Sequence, residues 1–391
     1  MDTQNTPIHI SLWHADFWIL AIANLLITMS VYMLIPVLPV WMFSVAGLSQ
    51  HEVGIIMGAY GIGLFVFGGF CNWYVQRYRR NRVCLWAMVG VFFALLGCWL
   101  VENGMQQSWL QYRLLLFLRI ALGATFGLVQ MVLSSTLIID KSESFQRTEA
   151  NHASAWFGRF ALSLGPMLGI VFARTTFSPL LASSILALAA FILLAMVKFP
   201  FRTPEDGVKR FSGDRFFLPE AKWLFVNLFL ICLSVGLLMS TQFTAMFYAM
   251  VMVGFCVALL AERFAFVDAD LRSQVVAGSI LIAIALVMIL TRKQMIVNYI
   301  SPVLVGLGVG LIGSRFLLFF IKLSKHCQRG TAVSTYMLSW ESGLATGLFV
   351  GYFFFADQIR LALSASLACI MLAFALYVLF IHQWYIKKKN R

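Results

Sequence analysis

Charge is scarce in this chain. Only 12% of its 391 residues are charged, against about a quarter in a soluble domain. A soluble surface of this size needs more, so a water-facing globule is excluded. Acidic residues are the rarest charged class, 16 in all, with no pair at loop spacing. Seven cysteines occur, at Cys71, Cys84, Cys98, Cys232, Cys256, Cys327 and Cys369, and none form a Cys-x-x-Cys pair. Most lie in apolar stretches, where cysteine serves as a small hydrophobe and not as a metal ligand or disulfide partner. His-Glu-x-x-His, Gly-x-Ser-x-Gly and a Gly-Lys-Ser/Thr phosphate loop are all missing. The polar stretches are too short to build a catalytic domain. These absences argue against an enzyme, a cofactor, a metal site and an ATP-driven pump.

What is abundant is apolar: 61% of the residues are hydrophobic. They fall in runs of about 20, the length that crosses a bilayer at about 1.5 Å rise per helical residue. The runs predict spans at 17–40, 52–74, 83–101, 112–139, 150–173 and 178–198. After a polar stretch, six more follow at 222–241, 244–262, 273–290, 296–321, 331–355 and 360–385. Barrel strands are excluded, because they are about ten residues long and alternate. The first span lacks a basic leader and a small-residue cleavage pattern, so it is expected to be retained.

The net charge of +13 raises the question of nucleic acid. Its placement answers it. With a cytoplasmic N-terminus, 21 of the 29 Lys and Arg residues fall on the cytoplasmic side, five outside and three within spans. That bias is the positive-inside pattern for an even number of helices. It predicts a multi-pass protein of the plasma membrane, the inner membrane of a bacterium, with both termini cytoplasmic. The basic residues are then lipid-facing, and no nucleic-acid partner is expected.

The polar stretch at 199–221 divides the chain into two similar parts, 1–198 and 222–391, the second ending in a basic tail. A shift of 182 residues places Gln146-Arg147 on Gln328-Arg329, Gly165 on Gly347 and Gly169 on Gly351. A second match pairs Gly69-Phe70-Cys71 with Gly254-Phe255-Cys256, and a third pairs Asn24-Leu25 with Asn227-Leu228. Parallel repeats of six helices around a midplane site are a transporter architecture.

Over nearly its whole length the chain resembles the major facilitator superfamily. That family marks the loop after its second helix with Gly-x-x-x-Asp-Arg-x-Gly-Arg-Arg. The same stretch here is Asn72-Trp73-Tyr74-Val75-Gln76-Arg77-Tyr78-Arg79-Arg80-Asn81. Two basic positions survive; both glycines and the Asp do not. The eighth span ends in a better acidic copy, Ala258-x-x-x-Glu262-Arg263. The resemblance implies gating loops around Gln76, Arg77, Arg80, Glu262 and Arg263, where an acidic residue latches the halves together. It implies an all-α fold of 12 transmembrane helices in two pseudo-symmetric bundles. Arg119-x-x-x-Gly123-x-x-x-Gly127 is similar to the family's Arg-led motif. Gly165-Pro166-x-x-Gly169 resembles part of the motif of exporting members and leans toward export.

Ionisable groups inside a bilayer are costly, so they usually face a cavity or a partner. Glu341 lies near mid-depth of the eleventh span, and the 182-residue shift places it on Arg159. A carboxyl balanced between burial and a nearby cation can take up and release a proton. Glu341 is therefore the expected proton-coupling group, with Arg159 as its partner or a substrate anchor. The competing reading is a static ion pair. Arg119 either relays protons, binds an anionic group or braces its helix. His152 is either a protonation site or a structural histidine. Arg315 either reaches substrate or snorkels. Asn24, Tyr32, Gln130, Tyr336, Ser339 and Trp340 are candidate cavity residues, though Trp and Tyr also populate interface belts. The glycines of the second span, among them Gly54, Gly58 and Gly61, predict a close-packed seam.

Taken together, these features predict a monomeric secondary transporter that moves a small organic solute by alternating access, with protons as the coupling ion. An uptake carrier for an anion or sugar, or a transporter-like receptor, remains the alternative.

Overall fold

The computed structural model describes residues 11–104, 107–143, 145–199, 207–266, 270–292 and 294–389. Eleven helices are long and apolar enough to cross a membrane. They are α1 (Ala15–Ser44), α2 (Gln50–Arg77), α3 (Arg80–Gly104), α4 (Ser108–Asp140), α5 (Arg147–Phe172), α6 (Pro179–Met196), α7 (Pro219–Met239), α8 (Ala245–Phe264), α9 (Ser273–Thr291), α10 (Val297–Leu323) and α12 (Ile359–Lys389). Between the last two runs α11 (Arg329–Phe355), 27 residues long. It is less apolar because serine, threonine, tyrosine and Glu341 occupy its buried faces, where protein replaces lipid. No boundary differs from the predicted spans by more than four residues.

Local chemistry explains several starts and interruptions. Ser49 caps α2: its hydroxyl accepts from Glu52 N at 3.4 Å while its own N–H donates to Glu52 Oε2 at 2.8 Å, the reciprocal pairing of a capping box. Pro179 opens α6, where a missing N–H is harmless. Past Gly63, α2 tightens into three-residue turns before resuming at Cys71. There Gly68 and Gly69 admit the rings of Phe216 and Phe211 from the segment before α7. α4 carries a wide π turn at Leu133–Leu137.

The halves have the same internal plan. α1 packs on α5 and α6, α2 on α4, and α3 on α4 and α6. Six helices later, α7 packs on α11 and α12, α8 on α10, and α9 on α10 and α12. The repeat in sequence is thus a repeat in packing. A Cβ on Gly165 would come within 2.9 Å of Met29 O of α1. Its counterpart Gly347 lies against Leu233 and Gly236 of α7. One short match is corrected. Gly254 packs on Gly306 of α10 as Gly63 packs on Gly123 of α4, so its counterpart is Gly63 and not Gly69.

Two seams join the halves, α2 on α11 and α5 on α8. The outward faces carry exposed Trp86, Phe93, Phe117, Leu260 and Phe264. Such a belt is an association hazard in water and the natural face toward lipid. Of the cysteines, Cys71, Cys84, Cys98 and Cys232 are buried, whereas Cys256 and Cys327 are exposed. The last two depart from the buried role expected of them.

Candidate functional site

A small cavity of about 20 Å³ sits between the halves, lined by residues of α1, α4, α5 and α11. That is about the room of one water. The first half supplies Thr28, Tyr32, Gln130 and Arg159; the second supplies Tyr336, Met337, Trp340 and Glu341. Arg159 and Glu341 both border it, as the pseudo-symmetry requires.

They do not pair. Glu341 accepts a hydrogen bond from Tyr32 and another from the Tyr60 hydroxyl at 2.9 Å. Both donors come from the other half, so this carboxyl ties the halves together. Two hydroxyls aimed at its two oxygens suit a carboxylate, which is acceptor-only. Protonation would turn one oxygen into a donor, which the facing tyrosine hydroxyl can accept, so that bond becomes one between neutral groups.

Arg159 is the opposite case. It is buried at 2% exposure, yet none of its three guanidinium nitrogens has a hydrogen-bond partner among the described residues. Its charge lies 4.5 Å from the centre of the Trp156 ring. A desolvated cation–π contact contributes about 2 kcal/mol. The Tyr336 hydroxyl and the Glu262 carboxylate also act favourably on this charge, so it is partly compensated while its nitrogens keep hydrogen-bonding capacity to spare. Space at this charge is kept by Gly313. A Cβ there would lie 2.8 Å from Arg159 Nε, 3.0 Å from the Trp340 ring and 3.3 Å from the Tyr336 hydroxyl.

Other predicted residues stand further back. Arg119 is buried behind Tyr60, with its charge 5.1 Å from that ring and Nη2 donating to Met57 O at 3.4 Å. Asn24 donates to Ser154 O at 3.2 Å and accepts from Gln130 Nε2 at 3.2 Å, so it positions Gln130 and does not line the cavity. Ser339 lies two residues from Glu341, about 200° around the helix, and donates to Phe225 O of α7 at 2.8 Å. Arg315 is likewise turned from Gly313 and donates to Gln274 Oε1 of α9 at 2.6 Å. Asn24, Ser339 and Arg315 are therefore corrected from cavity wall to scaffold.

His152 lies on the α5–α8 seam, hydrogen-bonded to Ser314, with Nε2 3.6 Å from Glu262 Oε2. The acidic residue of the second gating motif thus does face the other half. In the first half, Gln76 borders a polar chamber, and Arg80 pairs with Asp140 at 2.9 Å. Arg77 ends α2, and Arg263 is exposed at the end of α8.

Contacts flank the central cavity toward both ends of the helices. Toward the opposite side, the His51 ring packs edge-on to Phe353 at 4.6 Å, and Ser163 donates to Tyr248 O at 2.6 Å. Toward the basic side, Arg215 N donates to Thr331 Oγ1 at 3.0 Å and Leu218 N to Thr335 Oγ1 at 2.8 Å. Each contact strap joins different halves or the connecting segment, so either closure can open without unfolding a bundle.

A roomier crevice of about 660 Å³ flanks α2, α7 and α11, lined by Phe65, Phe225, Phe229 and Phe349. Its hydroxyls, on Ser342 and Thr346, already donate to carbonyls of their own helix. It offers a charged solute no counter-charge.

The sequence model of the Major Facilitator Superfamily matches residues 20–348. The chain belongs to the Major Facilitator Superfamily. Solved transporters share this superfamily fold. The human organic anion transporter MFSD10 superposes with a TM-score of 0.69 at 15% identity, covering 92% of this chain and 98% of that one. A D-xylose–proton symporter gives 0.69 at 15% identity, covering 93% and 97%. A bacterial homologue of the iron transporter ferroportin, in an outward-facing state, gives 0.66 at 14% identity, covering 97% and 100%. No protein with a curated function matches the sequence. The superfamily and the apolar helices together make this a multi-pass membrane protein of a transporter family.

Two site residues escaped the sequence reading. Tyr60 lies between Gly58 and Gly61 in sequence but about 200° around α2 from Gly58, with its backbone against Gly123 of α4, and its hydroxyl still reaches Glu341 of α11. Its place among the seam glycines in sequence was the available signal. Gly313 falls 183 residues after Gln130, the same offset that relates Gly306 to Gly123, so the repeat marked it too.

Proposed function

We propose that this protein carries a small organic anion together with a proton. The orphaned guanidinium of Arg159, buried and bordering the cavity, is the observation that carries the reading. A solute carboxylate or similar group would supply the acceptors that its guanidinium nitrogens lack among the described residues. Glu341 is the proton site, and Tyr32 and Tyr60 hold its ionised form across the interface.

The coupling follows from electrostatics. An anion at Arg159 would share a small, water-poor cavity with the Glu341 carboxylate. Two like charges about 8 Å apart at an effective dielectric near 20 repel by roughly 2 kcal/mol. That is about a thirtyfold preference for binding anion and proton together. Protonation would turn the charge-assisted bonds of Tyr32 and Tyr60 into weaker neutral ones and so loosen the interface for reopening.

Joint binding favours proton-driven uptake over export. The Gly165–Gly169 motif that leaned toward export is accounted for by close packing on α1. The basic face is the cytoplasmic one in this reading, the membrane is a bacterial inner membrane, and one chain suffices because both walls of the cavity belong to it.

The test is flux of small organic acids into vesicles containing the purified protein. The reading predicts uptake accelerated by an inward proton gradient, with alkalinisation outside when anion is added. Carriage of neutral sugars without any anion flux would refute it.

A further inference from the structure

The matched Gln-Arg pairs at the starts of α5 and α11 have no part in the central site. The fold brings them together. Arg147 and Arg329 both line a polar chamber of about 480 Å³ on the basic side, with Arg80 and Arg215. Asp140 and Asp214 are the carboxylates on its wall. Asp140 is taken by Arg80 at 2.9 Å, and Asp214 is exposed. The wall thus has a surplus of positive charge, and two helix N-termini add to it.

Several groups in the chamber are unsatisfied or strained. Arg147 Nε has no hydrogen-bond partner among the described residues. Asn151, only 5% exposed, also has an Oδ1 without a partner, an acceptor that calls for a donor and not for the anion itself. Arg215 has a φ of 60°, a conformation that costs a non-glycine residue about 1–3 kcal/mol. It is held there by its N–H bond to Thr331 and by Nη1 donating to Thr136 Oγ1 at 3.3 Å. Burial and then the nearby Arg80 charge pull the Arg215 guanidinium below its ordinary pKa, while Asp140 and Asp214 pull the other way.

We infer that this chamber binds a phosphate-bearing anion, clamped between Arg147, Arg215 and Arg329. A phosphate has the charge and the acceptor oxygens to bridge several guanidiniums at once. The wall combines the first half, the connecting segment and the start of α11. Occupancy therefore ties α11 and the connecting segment to the first half and holds the basic-side closure shut. The ligand is either a soluble phosphate or the headgroup of an anionic phospholipid.

The experiment uses the full-length purified protein. In detergent, binding of radiolabelled inorganic phosphate is measured at constant ionic strength, with chloride as the balancing anion. In parallel, thermal unfolding is followed in nanodiscs of phosphatidylcholine with or without phosphatidic acid. Binding of inorganic phosphate assigns a soluble ligand; stabilisation by phosphatidic acid alone assigns the lipid headgroup. In either case the double variant Arg147→Gln/Arg329→Gln weakens the effect about tenfold or more, the loss of charge-assisted hydrogen bonds. Arg147→Lys/Arg329→Lys retains most of it and guards against a folding artefact. Arg113→Gln, at an exposed arginine near the start of α4 and at the other end of that helix from Asp140, leaves it unchanged. Equal responses to chloride and phosphate, or an undiminished response in the glutamine variant, overturn the inference.

Discussion

The two seams between the halves are symmetry mates, yet they are built from different chemistry. On the α2–α11 seam, Gly54, Gly58 and Gly61 receive Phe353, Phe349 and Ala345. On the α5–α8 seam, Ser163 bonds Tyr248 O, and His152 sits between Ser314 and Glu262. The mid-depth charges differ in the same way. Glu341 on α11 is met by two hydroxyls of the other half, whereas Arg159 on α5 is met by none among the described residues. The repeat preserved which helices touch and how closely. It did not preserve side-chain chemistry, and that freedom is what gives one pocket an acid on one wall and a base on the other.

Substitutions on either side of this contrast test it, and the largest effect belongs to the unpartnered charge. Arg159→Met removes the proposed counter-charge of the solute. Losing one partner of a buried pair costs about 3–5 kcal/mol, so kcat/KM for anion uptake falls by about a hundredfold or more. A fall of less than tenfold would place the anion elsewhere. Gly58→Leu comes next. A Cβ at Gly58 would already lie 2.8 Å from the Phe349 Cβ, and overpacking costs about 1–3 kcal/mol. Thermal unfolding of the purified variant should show that loss, with slower transport because the closed seam no longer forms.

Tyr60→Phe removes one donor to Glu341 and leaves the ring beside Arg119. A hydrogen bond to a charged group contributes about 1.5–3 kcal/mol, so proton-driven uptake slows roughly tenfold while substrate KM changes little. Ser163→Ala on the polar seam is the mildest change. Interhelical hydrogen bonds in membranes average about 0.6 kcal/mol, so its unfolding midpoint and transport rate stay close to the parent's. A severe defect there would mean that the polar seam, and not the glycine seam, limits closure.

The fold was largely legible because lipid imposes a simple rule: a span is a run of about 20 apolar residues. Even α11, less apolar than the other spans, was placed at 331–355 from its apolar run against the observed Arg329–Phe355, and the 182-residue repeat agreed with it. The interior of the helices was less legible. The tightened turns of α2 near Gly68 depend on rings from Phe216 and Phe211, more than 140 residues away in sequence.

At the site, Glu341 and Arg159 were readable because charge in a bilayer is conspicuous. Their failure to pair was not, since it depends on Tyr60 reaching Glu341 first. Asn24, Arg315 and Ser339 were misplaced for a rotational reason. Sequence gives depth along a helix well, but one residue is about 100° of azimuth, and each of these three finds its partner on a neighbouring helix instead of the cavity.

The account rests on Glu341 taking up a proton when an anion binds beside Arg159. Glu341→Gln, which fixes a neutral side chain of similar shape, tests this most directly in vesicles. Anion–anion exchange should persist in the variant, while uptake no longer responds to a proton gradient and anion addition no longer changes external pH. If Glu341→Gln still accumulates anion against its gradient at the parent's rate when a pH difference is applied, the proton does not travel through Glu341 and the account is wrong.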